Sequence, residues 1–193
     1  MTTLLAGLVL FLGVHLVPTF PGLREQWRGG LGAIGYQIAF SVLSLIGLYL
    51  IVRGYGTMRS MPGNIELWSS PRWTRHVAYL LMLPAMILLV ASNVPSRIRT
   101  AAKHPMLAAT KIWALAHLIA NGDLASVLLF GTFLAYGVYD RISVGKRNAL
   151  GPLGSRAGAP VNDVVVVVIG VALFALIVFW AHGALFGVPL YGG

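Results

Sequence analysis

Apolar runs alternate with short polar connectors along the whole chain, and run length decides what each can do. A helix needs about 20 mostly apolar residues to cross about 30 Å of hydrocarbon. Residues 2–20 form the first such run, closed by Pro18 and a Pro21-Gly22 break, and residues 32–52 form the second. A polar connector follows over residues 53–75, with Pro62-Gly63-Asn64 and Ser69-Ser70-Pro71 as turn signals. Residues 77–92 make the third run, with Pro84 as a kink. Residues 105–120 and 124–139 are apolar runs of 16 residues each, separated by Asn121-Gly122-Asp123. They read as two short helices joined by a tight polar turn, because one continuous span would be too long. Residues 164–185 are the last run, with Asn162-Asp163 placed to cap it. Its valines at 164–168 would suggest a strand in water, but in lipid a lone strand leaves its backbone unsatisfied. The pattern predicts an all-α integral membrane protein. Its six transmembrane helices form a bundle, the fourth and fifth of them short, in one domain over residues 1–193 without internal repeats.

Composition agrees. The chain is 58% hydrophobic and 10% charged, against about 45–50% and about 25% in soluble domains. Cysteine is absent, which removes disulfides, thiolate nucleophiles and cysteine-held clusters. Lys and Arg number 14 against five acids, a net charge of +9. These cations sit in connectors and lack the interleaved aromatics of a nucleic-acid face, so they point to topology and anionic lipid rather than to nucleic acid. Ten of the 14 fall in the first, third and fifth connectors or close beside them. Those connectors are therefore expected to face the cytoplasm, with both termini outside. The first run lacks a basic leader and a small-residue cleavage site, and reads as a retained helix.

Function in such a chain is sought among polar groups that the bilayer rejects. Of five histidines, His76 and His104 stand at helix ends near water, while His15, His117 and His182 lie inside apolar runs. Each of these three could simply satisfy a neighbouring helix's carbonyl. Together, with no cysteine available, they suggest a metal or haem site, since neutral imidazole is a common metal ligand. The acids are too scattered for calcium or magnesium, and no HExxH pair marks a zinc site. At about 1.5 Å per residue, His15 and His117 differ in depth by about 8 Å, and His117 and His182 by about 9 Å. Depth does not choose between these pairs. Trp113 lies one turn from His117, as packing partner or pocket wall. Asn121-Gly122-Asp123 is either a cap and turn or a polar floor beneath a ligand. Asp140 and Arg141 read as a surface ion pair.

The chain resembles the NnrU family. The resemblance lies in His15 followed by Pro21-Gly22-Leu23-Arg24, in His104-Pro105, in Trp113-Ala114-Leu115-Ala116-His117-Leu118, in Ala120-Asn121-Gly122-Asp123 and in the closing residues 182–190. It covers nearly the whole chain and implies a bacterial inner-membrane protein, in which the outward termini expected from the charge count would be periplasmic. It also implies a role in denitrification, in support of nitrite and nitric oxide reductases. The plant 15-cis-zeta-carotene isomerase is similar over the same region and uses haem b with histidine ligands, which implies His15 and His117 as ligands here. A further histidine of that isomerase falls near Tyr136, a departure that sets the isomerase chemistry apart. Under this reading Trp113 and Asn121 lie near the pocket. Arg24, Arg28, Arg97 and Arg99 would be available to haem propionates, and His182 is the alternative second ligand. Nitric oxide or an apolar small molecule would be the partner, beside membrane lipid. Two alternatives stand beside it. One is a cofactor-free accessory or assembly factor whose histidines tie helices together. The other is a degraded methyltransferase-like enzyme, because Lys103-His104-Pro105 resembles the arginine-histidine-proline motif of isoprenylcysteine carboxyl methyltransferases, with lysine in the arginine's place.

Overall fold

A computed structural model describes residues 1–151, 153, 154, 156 and 158–190. Among them every regular element is a helix. Helix α1 is Thr2–Leu16, continued by a 3₁₀ turn at Val17–Thr19, and α2 is Pro21–Arg59. Helix α3 is Thr74–Ala91, α4 is the short Arg97–Ala102, α5 is Pro105–Ala120 and α6 is Leu124–Lys146. Helix α7 is Pro160–Leu176, which runs through a π-helical turn at Ile177–Ala181 into α8, His182–Phe186.

Five of these segments are long and apolar enough to cross a membrane: Thr2–Thr19, Pro21–Arg59, Thr74–Ala91, Leu124–Lys146 and Pro160–Phe186. Helix α5, at 16 residues, is shorter. Large apolar side chains such as Val9, Ile34, Leu80, Phe179 and Trp180 are exposed around the outside. An unfaced apolar surface of this extent needs a lipid solvent.

Element ends depart from the hydropathy pattern in informative ways. Helix α2 begins at Pro21 and breaks at Gly32, whose φ of 73° and ψ of 170° are open to glycine and costly for other residues. It then continues past Val52 to Arg59, because a helix needs hydrogen bonds and not apolarity once it leaves the hydrocarbon. For the same reason α6 has 23 residues and not 16, ending at Lys146. The last helix starts at Pro160, which suits a first helical position. Asn162 and Asp163 therefore do not cap it. They lie in its first turn and reach outward, Asn162 Nδ2 to the Pro95 carbonyl at 2.7 Å and Asp163 to Arg97.

Helix α1 lies along α2, α3 packs on α5 and α7, and α5 packs on α6. The α1–α2 contact is a glycine seam. A Cβ on Gly7 would stand 2.6 Å from the Ile51 nitrogen, and one on Gly47 would stand 2.8 Å from the Phe11 nitrogen. A Cβ on Gly54 would strike the backbone of Leu4. Gly47 and Gly54 are two turns apart on one face, so backbones meet without a Gly-xxx-Gly motif. Beside the seam, Leu4, Leu8, Ile51, Met58, Ala114, Ala125, Leu129 and Phe130 form the buried core.

Connectors gather at two ends. At one end the 64–68 segment pairs with the turn after α5: Leu67 N–H donates to the Gly122 carbonyl at 2.8 Å, and Leu124 N–H donates to Ile65 at 2.9 Å. A Cβ at Gly122 would collide with the Trp68 carbonyl, so glycine is what lets this turn close. At the other end Arg147 Nη1 donates to the Pro18 carbonyl at 2.9 Å, and Arg97 pairs with Asp163 at 2.9 Å.

Replacing Gly54 with Val should force α1 off α2 and cost about 3 kcal/mol, the upper part of the overpacking range. Gly13, whose Cβ position is open, should accept Ala with no loss. Thermal or denaturant unfolding of the detergent-purified variants measures both, and equal stability of the two would refute the seam.

Candidate functional site

The intramembrane histidines are held by their own helices. His15 Nδ1 lies 2.7 Å from the Phe11 carbonyl, and His117 Nδ1 lies 2.8 Å from the Trp113 carbonyl, each one turn back. A carbonyl only accepts, so the ring proton is on Nδ1 in both, and Nε2 carries the free lone pair. No hydrogen bond reaches either Nε2 among the described residues. His182 follows the same rule, with Nδ1 2.7 Å from the Val188 carbonyl, and so secures the closing turn after α8.

Between His15 and His117 runs a seam of aromatic rings. His15 stacks on Phe11 with centroids 4.2 Å apart and meets Phe40 at 5.0 Å and Tyr136 edge-on at 6.3 Å. Phe11 meets Phe133 at 5.6 Å, and Phe133 meets Trp113 at 5.5 Å. Trp113 lies 5.3 Å from His117, which stacks on Phe130 at 4.5 Å. His117 thus faces Phe130 on α6 and His15 faces Tyr136, six residues or about 9 Å further along that helix. The two imidazoles do not touch each other. His182 stands towards the same end of the bundle as His117, at the start of α8 where His117 is near the end of α5.

The remaining sequence-predicted residues divide by location. Asn121 ends α5, and its Nδ2 donates back to the His117 carbonyl at 2.9 Å, so it caps the helix that carries His117. Arg24 and Arg28 line a small cavity of about 120 Å³ with Pro18, Pro21, Glu25 and Arg147, apart from either imidazole. Arg97 is taken by Asp163. Arg99 is buried against the Gly154 and Arg156 carbonyls. His76 is exposed and His104 half-buried at the start of α5. Burial lowers the His104 pKa below the ordinary imidazole range; the Arg141 and Lys103 charges add to this and Asp140 opposes it. Asp140 does not pair with Arg141. It accepts from Arg147 at 3.4 Å and from Tyr136 Oη at 3.4 Å.

Sequence reasoning passed over a polar cluster at the His117 end. Tyr55 Oη lies 2.9 Å from Ser126 Oγ, which donates to Asp123 Oδ2 at 2.6 Å. Asp123 Oδ1 also caps α6 by accepting from Ser126 N–H at 3.1 Å. Burial pushes the Asp123 carboxyl upward, but hydrogen bonds from Ser126 and Asn64 and the Arg59 charge outweigh it and hold the group below the usual carboxylate range. The Asp-x-x-Ser spacing at a helix start was the available signal.

Among the described residues no three His, Asp or Glu side chains gather to hold a bare metal ion. For haem, the donor chemistry fits: two imidazoles with Nδ1 secured, Nε2 free and aromatic rings alongside. The rings of Phe11, Phe133 and Trp113 fill the interval, so a single iron held by both histidines requires these side chains to give way.

These features define a multi-pass α-helical membrane protein with a histidine-aromatic seam. The NnrU protein family model matches residues 3–190, and the chain belongs to that family. No curated protein and no solved structure matches it.

Asp123→Ala should lose about 1 kcal/mol through the missing cap. Because the folded carboxyl titrates below its unfolded value of about 3.9, its contribution is complete above that pH and fades as pH falls through the folded value. Unfolding curves at pH 7, 5 and 3 should show the gap between wild type and variant closing only at the lowest pH.

Proposed function

We propose that this NnrU protein is a six-span protein of the bacterial inner membrane, with α5 as the short sixth span and both termini periplasmic. It binds haem b through His15 and His117 and serves nitric oxide-related redox physiology in denitrification. One observation carries the haem reading: both imidazoles are fixed through Nδ1 to their own helix and leave Nε2 free, the orientation of a ligand histidine. Bound haem would supply one-electron chemistry and a site for nitric oxide, or the centre of an isomerase acting on an apolar molecule. Around it the protein's own groups have definite tasks. Phe130, stacked on His117, would form an apolar wall beside it, and Asn121 fixes the end of the helix that carries His117.

A second reading, the cofactor-free accessory factor, draws on the aromatic rings that already fill the seam. Its histidines do not tie helices together, however, since the Nδ1 bonds of His15 and His117 stay within one helix. The methyltransferase-like reading finds little support at Lys103 and His104. They line a cavity walled by arginines, which repels a sulfonium cofactor.

Absorption spectra of protein purified from haem-replete cells, oxidised and dithionite-reduced, test the proposal. The expected result is a Soret band that shifts on reduction and is lost or altered in both His15→Ala and His117→Ala. Colourless protein would overturn haem binding, and a spectrum altered by His182→Ala in place of His15→Ala would move the second ligand to His182.

A further inference from the structure

A large cavity lies away from the histidine seam, at the end of the bundle where α4, the start of α5 and the end of α6 meet Asn148, Ala149, Leu150, Gly151, Gly154 and Arg156. Its volume is about 720 Å³, and its basic lining consists of Arg99, Lys103, Arg141 and Arg156, with His104 beside them. No acid lines it among the described residues. Of the acids on the adjoining helices, Asp163 pairs with Arg97 and Asp140 with Arg147, although Asp140 also acts electrostatically on His104.

Arg99 is the telling residue. It is only 7% exposed, and a guanidinium so placed ordinarily has an anionic partner. Here it donates Nη2 to the Gly154 carbonyl at 2.7 Å and Nη1 to the Arg156 carbonyl at 3.3 Å, which orients it but leaves its charge uncompensated. Ser96 holds the short helix beneath it, accepting from Arg99 N–H at 3.1 Å. Lys103 and Asn148, the two non-glycine residues with positive φ among those described, at 59° and 47°, both line this cavity. The backbone is thus bent at the walls of a cavity that gathers four permanent cations.

We propose that this cavity binds a phosphate-bearing anion, the headgroup of an anionic phospholipid in the adjoining leaflet or a soluble phosphate compound. A phosphate offers three acceptor oxygens and a charge of about −1.5 to −2, which matches several cations better than one carboxylate does. The guanidinium of Arg99 supplies planar donors at the base, and Lys103, Arg141 and Arg156 supply charge around it. Val144, Ala149 and Leu150 add an apolar edge, which suits the glycerol and first methylenes of a lipid. Basic pockets at helix ends on the cytoplasmic side recognise lipid headgroups by this combination.

The test uses the full chain in phosphatidylcholine nanodiscs, with phosphatidylglycerol incorporated in steps or inorganic pyrophosphate titrated separately. Thermal stability and native mass spectrometry serve as readouts. Wild type should be stabilised saturably by at least one probe. Because loss of buried Arg99 threatens folding, the decisive variant is Lys103→Gln with Arg141→Gln, which should weaken the effect at least tenfold. Arg72→Gln with Arg75→Gln, at the opposite end, should leave it unchanged. Stabilisation by phosphatidylglycerol alone identifies a lipid headgroup, and stabilisation by pyrophosphate identifies a soluble phosphate. No saturable effect from either probe, or equal loss in both double variants, would overturn the site.

Discussion

A polar group placed in hydrocarbon must find its partner within the protein, and in this chain it finds that partner mostly within its own helix. His15 and His117 return Nδ1 to the carbonyl one turn back. Thr57, Thr110 and Thr132 return their hydroxyls in the same way. This local settlement leaves little polar adhesion between helices at mid-bundle; the Tyr55 to Ser126 contact lies towards one end, in the first turn of α6. Helix association therefore rests on shape. The glycines of α1 and α2 allow the backbones to touch, and aromatic rings fill the space towards α5 and α6. It also leaves the far nitrogen of each imidazole uncommitted, so the same constraint that disposes of one ring atom presents the other.

The two ends of the bundle are built differently. At the end that gathers residues 64–68 and 121–126, closure is by backbone pairing and a single carboxylate, Asp123. The opposite end carries most of the cations, and only Arg97 and Arg147 have acidic partners among the described residues. Charge there exceeds what the protein neutralises. Anionic lipid or solute is the natural source of the balance, and the bent backbone at Lys103 and Asn148 is concentrated on that side.

Much of this was legible in the sequence, and the illegible parts share a cause. Apolar run length located the helices because hydropathy reports the surrounding solvent. It misplaced the ends of α2, α6 and α7 because helices end where hydrogen bonding ends. The nearness of Trp113 to His117 followed from helical spacing. The offset of His15 from His117 followed from helical rise as well, but the rings of Phe11 and Phe133 that fill the interval did not, since they depend on how α1, α5 and α6 pack. Asp140 was matched with the wrong arginine because adjacent helical residues point apart, whereas Arg147 is two turns on and on the same face. The cationic cavity joins two connectors about 50 residues apart, and only the uncompensated excess of Lys and Arg hinted at it.

The seam and the cationic end are physically continuous. Tyr136 meets the His15 ring edge-on and directs its hydroxyl to both the His15 carbonyl and Asp140. Asp140 accepts from Arg147, and Arg147 donates to the Pro18 carbonyl just beyond α1. The end of α1 is thereby attached to α6 by one tyrosine, one carboxylate and one guanidinium, at the level where His15 sits. Had position 136 carried a histidine, a second imidazole would stand beside His15. With tyrosine there, the phenol instead carries polar contact outward to the charged end. What position 136 supplies at that level is therefore a hydrogen-bonded anchor for the end of the helix that carries His15.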